Sequence, residues 1–260
     1  MLALRNICEC NPFMKFVRVT TILSLTFLLL TLTACMDITG RGPAPLSSTL
    51  DATEDTHPRA GHVYCMRGWL GIFSTGIDDL AVKINREVPT VSVADEEWGR
   101  LKNFLIREHR SGRLREPIIL VGHSWGADDQ IRVAQELADH DIKVDLLVTI
   151  DPVTPPIVPP NVNRVLNIYK SHPATDGVPF WRGVAIDTTA TTVPIENIDL
   201  RQANLGFSTE LIDHINIEKS PDVHQMVLQE IRKICPLRQE GMAGLSKRPS
   251  NRETKLLTDN

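Results

Sequence analysis

The stretch Gly122-His123-Ser124-Trp125-Gly126 decides the fold of this chain. It follows the apolar run 117–121, which is rich in the β-branched residues that strands prefer. It precedes apolar residues spaced as on a helix between 131 and 138. Strand, G-x-S-x-G and helix in this order predict a nucleophile elbow, a sharp turn that lifts the serine hydroxyl clear of the sheet. The turn forces the serine to a positive φ and requires tiny neighbours two positions away. The sequence therefore predicts a hydrolase with a covalent acyl-enzyme intermediate on Ser124.

The composition of the chain is that of an ordinary globular protein. Its 260 residues are 42% hydrophobic and 23% charged, with a formal net charge of -4. This length and apolar content predict one α/β domain with appendages. The acidic balance and the absence of a basic stripe argue against nucleic acid as a partner.

The N-terminal segment has the pattern of a secretory signal. The run from Phe16 to Ala34 is nearly free of charge, and Lys15 and Arg18 stand at its start. A basic start, a short apolar stretch and small residues before a break predict a cleaved signal over residues 1–34. The alternative is a retained transmembrane helix, but the apolar run 19–34 is shorter than the about 20 residues that a span needs.

The residues at the predicted cleavage site, Leu32-Thr33-Ala34-Cys35, resemble the lipobox of bacterial lipoproteins. The resemblance implies that Cys35 is lipidated and that the mature chain is anchored to a membrane of the bacterial cell envelope. In Gram-negative bacteria an aspartate directly after the cysteine would favour retention in the inner membrane. Here Met36 follows Cys35, so the resemblance implies an outer-membrane lipoprotein or one on the periplasmic face. Met14 before Lys15 is a more natural start for such a signal, which would make residues 1–13 an upstream extension.

Composition divides the remaining chain into three parts. Residues 35–59 are polar and rich in Pro, Gly, Ser and Thr, and predict a flexible tether. Residues 236–260 are polar and basic, and predict a disordered tail. Between them, residues 60–235 form the predicted domain. An oxidising compartment would permit a disulfide between its Cys65 and Cys235, but we expect both to be buried and unpaired.

Within the domain, strand and helix patterns alternate. This alternation predicts a mostly parallel sheet with helices on both faces. The segment between Asp151 and His214 is too polar and too broken by prolines for a large helical cap. The predicted strands are 62–66, 90–93, 117–121, 144–150 and 164–169; the predicted helices are 77–87, 96–109, the segment after 126, and 221–234; residues 210–217 are expected to be a short helical or irregular piece.

A serine nucleophile needs an acid that orients its base. We expect this acid at the carboxyl end of a strand, where a parallel sheet gathers its ligands. Asp151 follows the apolar strand 146–150 and precedes Pro152, which ends that strand. The alternatives are a merely structural loop-capping role for Asp151, or Asp176 or Asp187 as the acid.

The candidate base is His214, which lies just before the last helix and completes the order Ser, Asp, His. Its apolar neighbours would hold the imidazole still. His224 is the rival, but it falls inside that helix, where its side chain would not easily approach the serine. Asp213 is expected to point away from the site, and His123 to shape the elbow.

Two backbone N–H groups are needed to stabilise the oxyanion. One is expected from Trp125, the residue after the nucleophile. The other is expected from Trp69 in the loop Arg67-Gly68-Trp69-Leu70-Gly71, whose glycines let the backbone approach a ligand. A tight turn alone would also explain these glycines.

Over residues 60–235 the chain resembles the α/β-hydrolase fold superfamily. The resemblance lies in the Gly-His-Ser-Trp-Gly elbow, the Arg67-Gly68-Trp69 loop where many members have His-Gly-x, and the late His214. Arg67 departs from the usual histidine. The position of Asp151 is similar to that of the acid in some lipases of this superfamily, whereas many members place it one strand later. The resemblance implies hydrolysis of an ester, thioester or amide, without a metal or another cofactor.

The sequence constrains the substrate only loosely. Phe180 and Trp181 would either line an acyl pocket or pack on the sheet. A lipid-anchored hydrolase would meet acyl lipids or small esters, so we expect an esterase or lipase acting on a carboxylic ester. A thioesterase or amidase with the same three residues is the alternative. A non-catalytic envelope lipoprotein that uses the fold as a binding module is a third possibility, against which the complete set Ser124, Asp151 and His214 argues.

Overall fold

The computed structural model describes residues 46–49, 57–68, 74–172, 177 and 182–238. The predicted signal over residues 1–34, the lipidation site Cys35, and most of the predicted tether and tail lie outside these ranges. Trp69, Asp176, Phe180 and Trp181 also lie outside them. No helix within the described ranges is long and apolar enough to cross a membrane.

The described domain is built on a six-stranded sheet in which every neighbouring pair of strands is parallel. Its spatial order is β2-β1-β3-β4-β5-β6. The central strands are buried on both faces, as their continuous apolar runs predict for a parallel sheet. The strands are β1 (His62–Met66), β2 (Thr90–Val93), β3 (Ile118–His123), β4 (Leu146–Ile150), β5 (Val165–Tyr169) and β6 (Ile195–Asp199).

Within the described residues, four helices cover the two faces of the sheet. They are α1 (Gly76–Ile84), α2 (Trp98–Arg110), α3 (Trp125–Ala138) and α4 (Pro221–Ile234). The apolar sides of α1 and α4 share one buried cluster with one face of the sheet, and those of α2 and α3 share a second cluster with the other face. The predicted class, an α/β protein with a parallel sheet and helices on both faces, is therefore confirmed. The described residues between Asp151 and His214 contain no helix.

Strand β6 was not predicted from the sequence. Its residues, Ile-Glu-Asn-Ile-Asp, alternate weakly and are mostly polar, because the strand lies at the edge of the sheet and is only partly buried. Some helix ends also differ from those predicted from the sequence. α1 ends at Ile84 instead of residue 87, and a single 3-10 turn over Asp95–Glu97 precedes α2.

A few described residues on either side of the predicted domain, 60–235, also pack against it. Residues 46–49 form a single 3-10 turn, and the apolar side chain of Leu46 is buried in the core beneath it. Arg59 pairs with Leu237 in an antiparallel bridge, and the Arg59 guanidinium donates to the Cys235 carbonyl oxygen at 2.7 Å. Cys65 and Cys235 are free, buried thiols, as expected, and burial raises the pKa of both.

The turn between β3 and α3 has the geometry predicted for a nucleophile elbow. Ser124 has φ 56° and ψ -126°, a region that non-glycine residues rarely occupy. A Cβ at Gly122 would overlap the Gly126 backbone, and a Cβ at Gly126 would overlap the Arg67 carbonyl. The two glycines are therefore required because three backbone segments meet around the turn. A parallel sheet with helices on both faces and an elbow of this kind is the arrangement of an α/β-hydrolase fold.

Replacing Gly126 by alanine is expected to destabilise the domain by about 3 kcal/mol or more, because the new methyl group meets rigid backbone. Gly99→Ala, also in the first turn of a helix, is the matched control, since nothing lies within 4 Å of its added Cβ. We expect the control to be neutral or slightly stabilising. Urea unfolding of both variants tests this. Equal stabilities for the two variants would contradict the packing described at the elbow.

Candidate active site

The structure brings Ser124, His214 and Asp151 together at the carboxyl edge of the sheet. Ser124 follows β3, Asp151 follows β4, and His214 lies in the loop before α4. The Ser124 hydroxyl Oγ lies 2.9 Å from His214 Nε2. His214 Nδ1 lies 2.6 Å from Asp151 Oδ2. The three candidate residues thus form one continuous chain of hydrogen bonds.

The chemistry of these partners determines where the protons lie. The ionised Asp151 carboxylate only accepts, so His214 Nδ1 must donate its proton to Oδ2. In the neutral imidazole, Nε2 then keeps its lone pair and accepts the hydrogen bond of the Ser124 hydroxyl. This tautomer is the one in which a histidine can remove the serine proton.

Asp151 is held by hydrogen bonds and by close packing. Its Oδ1 accepts the Lys170 backbone N–H at 2.8 Å, and its own N–H donates to the Ile168 carbonyl at 2.8 Å. Its backbone has φ 50°. Gly183 lies so close to the carboxylate that a Cβ there would overlap Oδ1. The buried carboxylate therefore presents Oδ2 to His214 and has little freedom to turn.

Lys170 connects the acid with the loop that bears the base. It follows β5 and is buried. While its N–H holds Asp151, its ammonium Nζ donates to the carbonyl oxygens of Thr209 at 2.6 Å and Ile212 at 2.7 Å. The ammonium thus holds the backbone of the segment just before His214 in place. Lys170 was not predicted from the sequence: its place at the end of an apolar strand marks it as a candidate, but nothing in the sequence identifies its distant partners.

A second buried side chain supports the loop after Asp151. Asp128, in the first turn of α3, accepts the backbone N–H groups of Val153 at 3.1 Å and Thr154 at 2.8 Å. It also accepts the Thr154 hydroxyl at 3.1 Å. Burial raises the pKa of Asp128 to about 6, although these hydrogen bonds oppose the rise. The Asp128 carboxylate therefore connects helix α3 with the loop that follows Asp151.

The candidate oxyanion donors lie on either side of Ser124. Trp125 is the first residue of α3, so its backbone N–H belongs to the helix N-terminus, where partial positive charge favours an anion. On the other side, a Cβ at Gly68 would lie 2.9 Å from Ser124 Cβ, so Gly68, two residues after β1, lies directly beside the serine. Trp69, the second candidate donor, lies outside the described residues.

The rival candidates are placed elsewhere. Asp187 is exposed, and its Oδ1 accepts the N–H of Thr188 at 2.7 Å. His224 is buried in α4, where Nε2 donates to the Glu218 carbonyl at 2.5 Å and Nδ1 accepts from Lys83 Nζ at 2.7 Å. Asp213 is exposed and accepts the N–H of Ile215. Asp176 lies outside the described residues. Across the described ranges no group of three or more His, Cys, Asp and Glu residues could hold a metal ion.

Three of the large apolar side chains that are exposed to solvent lie within three residues of Ser124 or His214 along the chain. The exposed large apolar residues within the described ranges are Val82, Trp125, Ile157, Leu211 and Ile215. Trp125 is adjacent to Ser124, Ile215 is adjacent to His214, and Leu211 lies on the same loop as His214. Leu211 is 91% exposed. Apolar surface beside a polar triad is a feature of sites that bind apolar groups.

Glu218 is a buried carboxyl on the single 3-10 turn that follows the histidine loop. Burial raises its pKa to about 7, against the opposing effects of its own and the Gly76 backbone N–H groups and of nearby Lys219 and His214. Its Oε2 has no hydrogen-bond partner among the described residues. Part of this side chain is therefore desolvated without compensation.

This shift predicts a pH-dependent stability. Because the folded pKa of Glu218 lies above its ordinary 4.5, its contribution to folding is most favourable below pH 4.5 and is lost as pH rises through about 7. Relative to Glu218→Gln, the wild type should therefore lose about 3 kcal/mol of unfolding free energy between pH 4.5 and pH 8. Urea unfolding of both proteins across this range measures the difference. A constant difference would show that Glu218 does not titrate in this window.

No protein-family model matches the sequence, and no relative is found among curated proteins. Comparison with solved structures gives distant matches. The chain is 13% identical to the NocB thioesterase domain from the nocardicin cluster, covering 70% of this chain and 95% of that one, with a TM-score of 0.44. It is 12% identical to the RedJ thioesterase of Streptomyces coelicolor, covering 72% and 94%, with a TM-score of 0.42. It is 13% identical to a putative α/β hydrolase of Xanthomonas campestris, covering 65% and 98%, with a TM-score of 0.36.

Proposed function

We propose that this protein is a serine hydrolase that cleaves a carboxylic ester through an acyl-enzyme intermediate. The observation that supports this most strongly is the hydrogen-bonded chain from Ser124 Oγ through His214 to Asp151, with distances of 2.9 and 2.6 Å. A serine on a strained turn, a base within reach of its proton and a buried acid behind the base are the parts that nucleophilic acyl transfer needs.

In the acylation step, Ser124 Oγ attacks the ester carbonyl carbon while its proton passes to His214 Nε2. Asp151 stabilises the imidazolium that forms and holds it in place. The carbonyl oxygen becomes an oxyanion, and we propose that the backbone N–H groups of Trp125 and Trp69 stabilise it. The bond to the leaving alcohol then breaks, and His214 gives its proton to the alcohol oxygen. The product is an ester between the acyl group and Ser124.

In the deacylation step, a water molecule takes the place of the alcohol. His214 removes a proton from the water as its oxygen attacks the acyl carbon, and a second oxyanion forms at the same position. When the bond to Oγ breaks, His214 returns the proton to Ser124. The carboxylic acid leaves, and the enzyme is restored with atoms and charge balanced.

The surroundings of the triad favour an apolar acyl group. Trp125, Leu211 and Ile215 are exposed to solvent and lie within three residues of Ser124 or His214 along the chain. An apolar chain that displaces water from these side chains would gain about 25 cal/mol for each Å² that it covers. We infer that the preferred substrates carry an aliphatic acyl chain instead of a charged or strongly polar one.

The test is a substrate panel in which acyl length and leaving group vary independently. We expect turnover of p-nitrophenyl esters, with kcat/KM rising from acetyl to medium-chain acyl groups and a burst of p-nitrophenol equal to the enzyme concentration. Matched thioesters and anilides of the same acids identify the preferred bond. Faster turnover of the thioester or anilide would overturn the choice of an ester. Absence of turnover with every member would support a non-catalytic binding module.

We also propose that the enzyme is a lipoprotein of the bacterial cell envelope, anchored through Cys35. This proposal is supported by the sequence Leu32-Thr33-Ala34-Cys35 after an apolar segment. In bacteria fed labelled palmitate, the wild type should be labelled and sediment with membranes, whereas Cys35→Ala should lose the label and the cleavage of its signal. Unchanged size and labelling of Cys35→Ala would contradict the anchor.

A further inference from the structure

A strained serine lies close to the candidate triad. Four non-glycine residues have positive φ within the described ranges: Ser74, Ser124, Asp141 and Asp151. Two of them are the proposed nucleophile and acid, and Asp141 lies in an exposed turn after α3. Ser74 has φ 71° and is buried before α1. Glycine would adopt this backbone more easily, so the retained side chain points to a use for its hydroxyl.

The Ser74 hydroxyl belongs to a hydrogen-bonded chain that the mechanism above does not include. Oγ accepts the N–H of Gly68 at 3.2 Å and lies 2.6 Å from His123 Nδ1. His123 Nε2 lies 3.0 Å from the backbone carbonyl oxygen of His214. These hydrogen bonds therefore connect Gly68, through Ser74 and His123, to the backbone of His214.

When the His123 ring is neutral, only one arrangement of protons satisfies all three hydrogen bonds. The His214 carbonyl oxygen can only accept, so His123 Nε2 must donate its proton to it. Nδ1 of the neutral ring is then an acceptor, and it takes the Ser74 hydroxyl proton. The Ser74 oxygen in turn accepts from Gly68. His123 is 3% exposed, and burial, together with the neighbouring His214, keeps its pKa well below the usual range.

We propose that His123 and Ser74 are positioning residues that hold the backbone of Gly68 and the backbone of the proposed base in place beside Ser124. This role rests on the proposed hydrolase function. At one end, these hydrogen bonds fix Gly68, which lies so close to Ser124 that a Cβ on it would meet the serine Cβ at 2.9 Å. At the other end, it fixes the backbone of His214, whose Nε2 must stay within 2.9 Å of Ser124 Oγ. A single chain of hydrogen bonds thus controls both sides of the serine hydroxyl.

The surrounding packing keeps this chain in place. A Cβ at Gly76 would overlap the Glu218 carbonyl, so the backbone after Ser74 lies directly against the turn that follows the histidine loop. The rings of His123 and His214 also lie close together, with centroids 5.2 Å apart. The segment 74–76 is therefore packed between the elbow and the loop of the base.

The first test determines which ring nitrogen of His123 carries the proton, and it needs no assay of activity. In the full-length protein labelled with ¹⁵N-histidine, long-range ¹H–¹⁵N spectra distinguish the two neutral tautomers from the imidazolium. We expect His123 to be neutral, with its proton on Nε2, from pH 5.5 to pH 8. A proton on Nδ1, or a charged ring at neutral pH, would overturn the hydrogen-bond directions on which the proposal depends.

The second test separates positioning from stability. Ser74→Gly deletes the hydroxyl and also relieves the positive φ, so the variant should fold at least as stably as one in which only the hydroxyl is lost. We expect kcat and kcat/KM for a p-nitrophenyl ester to fall together by about tenfold or more, with KM little changed, because the lost contacts matter in the transition state. Asp141→Gly, at the exposed positive-φ position, should retain wild-type kcat.

The outcomes distinguish this proposal from the proposed function. Wild-type kcat in Ser74→Gly, in a protein whose Ser124 still reacts with a fluorophosphonate, would overturn the positioning role and leave the hydrolase function intact. An equal fall in kcat for Asp141→Gly would also overturn it, since the effect would then follow from the backbone change. Failure of the wild type to react at Ser124 would overturn the hydrolase function and this role with it.

Discussion

Replacing Ser124 by alanine is expected to lower kcat for ester hydrolysis by about 10⁶-fold, the scale of loss when a serine nucleophile is removed. The alanine has no hydroxyl to attack the carbonyl and no proton to pass to His214. Substrate binding should change little, because Ser124 is only 6% exposed and contributes little contact surface. Initial rates with a p-nitrophenyl ester, measured over a wide range of enzyme concentration, test this expectation.

Ser48→Ala is the matched control, since Ser48 is an exposed serine on the single 3-10 turn over residues 46–49. It should retain wild-type kcat and KM. If Ser124→Ala kept more than about one per cent of the wild-type rate, Ser124 would not be the nucleophile. Circular dichroism of Ser124→Ala should match that of the wild type, which distinguishes the loss of the nucleophile from altered folding.

Replacing Asp151 by asparagine is expected to lower kcat by about 10⁴-fold. The reason lies in the hydrogen bonds of this side chain. The Lys170 N–H donates to Oδ1 at 2.8 Å, so the amide oxygen of the variant will take that position. Its NH₂ group must then face His214 Nδ1 at the former position of Oδ2 and donate to it. His214 would be left with its proton on Nε2, directed at the serine, and could not act as a base.

The pH profile and a control variant make this prediction specific. Asp187→Asn changes an exposed carboxylate that accepts from its own neighbour Thr188, and it should be indistinguishable from the wild type. At high pH, Asp151→Asn should regain part of its activity, because hydroxide can then replace the missing base. A loss of less than tenfold would show that another carboxylate supports His214, and Asp176 would be the first to test.

The main elements of the fold and the candidate triad followed from local patterns in the sequence. The elbow is encoded within five residues, since Gly122 and Gly126 are needed wherever a strand turns this sharply into a helix. Asp151 could be selected because an acidic residue after an apolar strand must lie at the carboxyl edge of a parallel sheet. His214 could be selected because its place late in the chain fits the order of the three residues.

The supporting residues could not be predicted, because their roles depend on contacts between distant segments. Lys170 holds carbonyl oxygens about 40 residues later in the chain. Ser74 contacts His123, 49 residues away. Neither residue belongs to a recognisable motif. The strained, positive φ of Ser74 cannot be predicted from the residue types around it. Strand β6 was missed because an edge strand needs little apolar character.

The strain in the site suggests a balance between stability and activity. Ser124, Asp151 and Ser74 all have positive φ, and each such residue costs on the order of 1–3 kcal/mol that the surrounding packing must offset. Substitutions that relieve this strain would be expected to stabilise the domain at the expense of catalysis.

The central claim is that Ser124 is an activated nucleophile, and mass spectrometry after reaction with an alkyl fluorophosphonate tests it most directly. We expect one equivalent of phosphonate, located on the peptide that contains Gly122-His123-Ser124-Trp125-Gly126, and strongly slowed labelling in His214→Ala. The same reagent should leave Ser124→Ala unmodified. An unlabelled wild-type protein, or a label on a different serine, would contradict the account.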